Sequence, residues 1–179
     1  MGYDTRFEGR FEFDKDHPLS VKHARFLQRF NETRRMKRDP DLLPDDPFRK
    51  SVGLPPGLDG GYCVCTHVFI ERGQSNDTSV RDYNRPPQGQ PGLWCQWTVS
   101  DYIGTGEEWV LEWDQGEKFY HYVEWLEYLI KHFLGPWGYK LSGTVYWQGE
   151  AHDDMGRIRI EPGNKVVVER GRVVYSVAL

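Results

Sequence analysis

Tyr3-Asp-Thr-Arg-Phe-Glu-Gly-Arg-Phe-Glu-Phe13 is the stretch whose reading decides the fold. Tyr3, Thr5, Phe7, Phe11 and Phe13 fall on one side of an extended chain, and Asp4, Arg6, Glu8, Arg10 and Glu12 fall on the other. A period of two with one apolar and one charged side predicts a strand buried on one face and wet on the other. A sheet built around such a strand needs cover on its apolar side, and helices can supply it.

Downstream of this strand, Ser20 follows Pro18 and predicts a helix cap, with Val21, Ala24, Leu27 and Phe30 as the buried side of a helix that runs to about Met36. Residues 118–134 carry a broader stripe of Phe119, Tyr122, Val123, Trp125, Leu126, Leu129, Ile130 and Phe133, closed by Gly135 and Pro136. Strands are expected over 62–70, 93–99 and 108–113, and again over 139–148, 157–160, 165–169 and 172–176. The order is β-α-βββ-α-ββββ. It predicts an α+β domain spanning residues 1–179: a mainly antiparallel sheet with two helices on one face and an α-βββ unit that reads as used twice. Residues 39–60, with five prolines, and residues 71–92 are expected to be long loops. The charged faces of the first strand and of the Glu108/Glu112 strand leave a wet, concave sheet face, where a ligand or partner would sit.

Composition bounds the function. Hydrophobic residues make up 38% of the 179 and aromatics 15%, including seven Trp and ten Tyr, so the core must be assembled from a few large rings. Three cysteines are too few for a disulfide framework, which together with the lack of a long apolar run predicts one soluble cytoplasmic domain with no membrane partner. A net charge of −4 argues against general nucleic-acid binding. That balance is uneven, with ten Lys/Arg against seven Asp/Glu in residues 1–40, and three against eleven in residues 101–154.

Four constellations could carry chemistry. The run Arg34, Arg35, Lys37, Arg38 at a helix end, joined by Arg85 of the second loop, suits phosphate, because guanidinium forks match its oxygens; the alternative is a solvated helix terminus. Trp94, Gln96, Trp97 and Trp113, with Trp147 and Gln148, offer rings beside amides, as a nucleobase requires, although most tryptophans must be core. Cys63, Cys65 and His67 share one side of an expected strand, with Cys95 nearby, so they could bind zinc or simply pack. Glu150, His152, Asp153 and Asp154 crowd one connection, either for acid-base catalysis or as a polar hairpin. Phosphate-loop, Rossmann and nucleophile-elbow signatures are absent, and no cofactor is expected.

The segments Glu32-Thr-Arg-Arg-Met-Lys-Arg38, Asn84-Arg-Pro-Pro87, Gln90-Pro-Gly-Leu-Trp-Cys-Gln-Trp97, Glu117-Lys-Phe-Tyr120 and Trp147-Gln-Gly-Glu150 resemble a family of small uncharacterised bacteriophage and bacterial proteins. The resemblance spans most of the chain and implies a setting, the infected bacterial cytoplasm, without implying catalytic residues. Small phage proteins often counter host defence, some by sequestering nucleotide signals. The resulting expectation is a non-enzymatic binder of a nucleotide-like ligand, with Arg34, Arg35 and Arg38 on phosphate and Trp94, Trp97 or Gln96 at the base. The alternatives are an adaptor or inhibitor of a host protein and a hydrolase using the 150–154 carboxylates; either way, a homo-oligomer is compatible with the sequence.

Overall fold

In a computed structural model, which describes residues 2–64 and 77–176, the alternating segment becomes strand β1 (Thr5–Phe13), third of six in an antiparallel sheet. The remaining elements, in chain order, are α1 (Val21–Glu32), β2 (Lys37–Arg38), α2 (Pro47–Ser51), β3 (Val80–Asp82), β4 (Trp97–Asp101), β5 (Trp109–Trp113), α3 (Tyr122–Leu129), β6 (Leu141–Gly149), β7 (Met155–Glu161) and β8 (Lys165–Arg170). The sheet order is β4-β5-β1-β6-β7-β8, and β2 and β3 form a separate ribbon. The fold is therefore α+β with a mainly antiparallel sheet. Among the described residues, no helix is long and apolar enough to cross a membrane.

β1 pairs with β6 along its whole length, from Thr5 opposite Gly149 to Phe13 opposite Leu141. With β5 it shares only the pairs Phe11–Leu111 and Glu12–Val110, so the two strands part toward Phe7. Gly9, at φ +103°, lies where a Cβ would stand 2.4 Å from the Thr144 carbonyl oxygen, so no side chain fits there. Phe7, Phe11, Trp97, Leu111, Val145, Trp147 and Ile158 supply the sheet's half of the core. Ala24, Phe26, Leu27 and Phe30 from α1 and Trp125, Leu126, Tyr128 and Leu129 from α3 supply the other half. A π-helical turn, Ile130–Leu134, extends α3 and buries Phe133 and Leu134. Val21, expected inside, is exposed, and Phe26 takes the buried role.

Ser20 does stand at the α1 N-cap, but its hydroxyl makes no cap bond and lies 3.1 Å from His23 Nδ1 instead. α1 also stops four residues short of Met36. Thr33 turns extended, and its hydroxyl donates to the Arg29 carbonyl at 2.6 Å. The following main chain is claimed by residues distant in sequence: Arg35 N donates to Leu93 O, Lys37 N to Arg85 O, and Asp39 N to Ser79 O. The basic run is thus extended ribbon. The expected loop at 39–60 is largely ordered turns, with Asp39 capping a short 3-10 turn at Pro40–Leu42 and Asp46 capping α2. Asp46 Oδ2 also accepts the Val64 amide at 2.9 Å, which fastens that region to the core. Residues 62–64 are not strand, and the rest of the expected 62–70 strand lies outside the described residues. Residues 172–176 form no strand either.

Two imidazoles are packed in this helix layer. His23 stacks on Trp137 with centroids 4.0 Å apart and meets the Tyr139 hydroxyl at 2.8 Å; His132 stacks on Tyr128 and meets the Tyr62 hydroxyl at 2.9 Å. Burial, helped by Lys22 and His17, pulls His23 down to about 4, and burial with Lys131 lowers His132. As pH falls through the ordinary imidazole value of 6.5 toward about 4, the unfolded chain therefore binds more protons than the folded one, and stability falls; well above 6.5 both states are neutral at these sites. Urea midpoints should drop over this interval, and His23→Gln should flatten the dependence. An equally steep slope in that variant would remove His23 as its source.

A candidate ligand site on the open face of the sheet

Because side chains alternate along a strand, register fixes which residues share the open face. One row crosses four strands: Glu8 lies opposite Tyr146, Tyr146 opposite Arg157, and Arg157 opposite Glu169. A second row runs Arg6, Gln148, Met155 and ends at Gly171, whose amide donates to the Met155 carbonyl at 2.8 Å. The intervening row of Phe7, Trp147, Gly156 and Arg170 belongs to the helix side, which leaves its main chain as a floor. These rows bound a trough of about 900 Å³, also lined by Trp113 where β5 and β1 part. The volume suits a drug-sized ligand.

Two of the five charged residues that line the trough, Arg157 and Glu169, are already committed to each other. Glu169 Oε2 accepts from Arg157 Nε at 2.6 Å and Arg159 Nε at 2.9 Å, and Arg159 also meets Glu161 at 3.3 Å. The hydrogen bonds from Arg157 and Arg159 hold the Glu169 carboxyl down at about 2, so it stays anionic and keeps both guanidiniums occupied. Gln148 gives its amide to the carbonyls of Gly149, Ala151 and Asp154, which makes it a brace for the β6–β7 turn. Arg6 differs. It is exposed, and among the described residues it makes no hydrogen bond or ion pair.

The sequence-expected phosphate residues are split apart. The chain from Arg34 to Arg38 is not regularly alternating: the register shifts between Lys37 and Arg38, and Arg35, Met36 and Arg38 all turn inward. Arg35 donates to the carbonyls of Cys63, at 2.5 Å, and Phe30, and lies over the Phe30 ring. Arg38, 1% exposed, pairs with Asp77 and donates to Ser79 Oγ at 3.1 Å. Trp97 is likewise core, its indole N–H donating to the Tyr122 carbonyl at 2.7 Å. These three placements correct the expectation that they face a ligand. Gln96 spans Trp113 Nε1 and the Glu117 carbonyl, so its amide holds Trp113 in place.

Arg34, Arg85 and Trp94 remain outward. The Arg34 guanidinium lies 4.2 Å from the Tyr83 ring centroid and 5.9 Å from that of Trp94, and Arg85 meets Asp82 at 3.5 Å. Trp94 leads into β4, the strand at one edge of the sheet, whereas the trough spans β1, β6, β7 and β8.

In the 150–154 connection, Glu150 accepts the Asp4 amide at 2.8 Å and Asp154 accepts the Tyr3 hydroxyl at 2.6 Å. His152 Nε2 lies 3.3 Å from the Tyr175 hydroxyl, and Asp153 is exposed. Two of the expected acid-base candidates therefore tie the start of β1 to the β6–β7 turn. Cys95 is fully buried, its thiol pushed up to about 12 by that burial, and Cys63 is buried as well; Cys65 and His67 lie outside the described residues. Among the described residues, no three His, Cys, Asp or Glu side chains gather as a metal site requires.

Sequence reasoning did not single out Arg6, Tyr146, Met155 or Arg157. The signal available for Arg6 was its place on the wet face of β1, but periodicity alone cannot say which cation is left without a carboxylate. No protein family matches the chain, and no curated protein or solved structure is significantly similar to it.

Proposed function

We propose that this chain is a binding module for a planar, anionic small molecule of the nucleotide class, held without chemical conversion in the open-face trough. The observation that carries this reading is Arg6, an exposed guanidinium with no partner among the described residues, on the wall of a cavity that also presents Tyr146, Met155 and Trp113. A guanidinium fork receives phosphate, and exposed rings receive a base, so the trough combines the two halves of nucleotide recognition. Holding such a ligand intact would lower its free concentration. In the phage setting that the motifs imply, that is how such a module would blunt a nucleotide defence signal.

Calorimetry and thermal-shift measurements against mono-, di- and cyclic nucleotides test this. Arg6→Ala should weaken binding by about tenfold to a hundredfold, the worth of a hydrogen bond to a charged group. Tyr146→Ala should weaken it by about tenfold through lost stacking. The bound nucleotide should be recovered intact. A melting temperature unmoved by any nucleotide, or unchanged affinity in Arg6→Ala, would overturn the proposal.

A second reading rests on the Arg34, Tyr83, Trp94 and Arg85 cluster. Exposed aromatics stacked with arginine are common anchors of protein interfaces, so this surface suits a host protein. Trp94→Ala would then abolish capture of a stoichiometric partner while leaving nucleotide binding untouched. Capture that survives Trp94→Ala would count against it.

A further inference from the structure

The two edges of the six-stranded sheet are treated differently. In β4, the amide of Asp114 donates to Gln96 O and that of Tyr102 to Glu108 O, so Gln96 and Tyr102 point their main chain at β5. Alternation then turns Cys95, Trp97 and Val99 outward. α1 occupies that edge: Asn31 Nδ2 donates to Cys95 O at 2.9 Å and Gln28 Nε2 to Val99 O at 3.0 Å. In β8, the Gly171 amide donates to Met155 O, and the ladder runs from Gly156–Arg170 to Glu161–Lys165 without a shift. Residues 165, 167 and 169 therefore face β7, and Val166, Val168 and Arg170 present their main-chain groups outward. Among the described residues, no side chain hydrogen-bonds to these main-chain groups. β8 also lacks the proline or bulge that usually protects an edge, and Val168 is 44% exposed.

The sequence of this edge, Lys165-Val-Val-Val-Glu169, is complementary to itself. In an antiparallel pair centred on Val167, Val166 of one copy lies opposite Val168 of the other, and both are the residues with outward main chain, so they form hydrogen-bonded pairs. The same register sets Lys165 opposite Glu169 twice, once on each side of the two-fold axis. Moving the centre by one residue in either direction loses both charge pairs. We infer that β8 is the dimer contact of this protein, joining two copies through an isologous edge-to-edge pairing into a continuous twelve-stranded sheet. The inference is independent of any ligand in the trough.

The centre of symmetry gives a decisive test. Val167 faces its own copy in a non-hydrogen-bonded pair, where Cα atoms stand about 4.5 Å apart, within disulfide reach. Val167→Cys should form a disulfide-linked dimer under mild oxidation, whereas Val166→Cys, which faces Val168, should not. Sedimentation of the unmodified chain should report two-chain mass. Lys165→Glu, which sets two carboxylates opposite two others, should weaken self-association by about tenfold or more, and Lys165→Arg should retain it. Val168→Pro, which removes an outward amide hydrogen, should give single chains with an unchanged circular dichroism spectrum. Single-chain mass at every concentration, or equal disulfide yields from Val166→Cys and Val167→Cys, would overturn the inference.

Discussion

Asp77→Ala is expected to destabilise the protein by about 3–5 kcal/mol, the cost of leaving a buried charge without its partner. Arg38 and Asp77 are 1% and 5% exposed along their side chains, and Asp77 also accepts the amide and hydroxyl of Ser79 through Oδ1. Among the described residues, Arg38 Nε and Nη2 are buried without a hydrogen-bond partner, so once the carboxylate is gone only the neutral Ser79 hydroxyl still meets the cation. This pair connects the basic ribbon to the turn that leads into β3, and its loss should loosen β2 from β3. Urea denaturation fitted as two-state provides the measurement. The double variant Arg38→Met/Asp77→Leu, which removes both charges, should be less destabilised than Asp77→Ala alone. A cost under about 1 kcal/mol for Asp77→Ala would mean that the pair is solvated in solution, contrary to its burial here.

Trp97→Ala should cost a similar amount, about 3–5 kcal/mol, because a large ring leaves a cavity that its neighbours cannot close. Trp97 meets Phe7 and Phe11 edge-on at 5.7 Å and Phe119 at 5.4 Å, and its indole N–H satisfies the Tyr122 carbonyl at the start of α3. Trp94, three residues earlier and 42% exposed, should behave oppositely, with Trp94→Ala changing stability by no more than about 0.5 kcal/mol. Comparing urea midpoints of the two variants measures the division of the tryptophans between core and surface. Equal costs would contradict it.

These two tryptophans show where periodicity stops informing. Trp94, Trp97 and Trp113 all read as ring-bearing strand residues, and a single chain gives no way to assign their faces. The register of β4 on β5, with Trp97 opposite Trp113, puts both on the helix side, and the parting of β1 from β5 lets Trp113 line the trough as well. The basic run fails for a related reason. Residues 21–36 have helical spacing, but the amides of Arg35, Lys37 and Asp39 find carbonyls at Leu93, Arg85 and Ser79, forty or more residues away. That partnership converts a helix terminus, with every cation solvated, into a ribbon that buries alternate ones.

Local pattern was sufficient where one face of an element decided its environment. The alternation from Tyr3 to Phe13 and the apolar stripe around Trp125 determined that a half-buried strand would lie under helices in an antiparallel α+β fold, because each needs a single dry side and the other supplies it. Tertiary structure decided which charges remained free. Arg157, Arg159 and Arg6 are indistinguishable as wet-face cations in sequence, yet the pairing of β7 with β8 gives Glu169 to the first two, while Arg6 has no ion pair among the described residues. A hydrogen-bonded carboxylate acts over a few ångströms, and only the packing of strands distant in sequence determines which residues come that close.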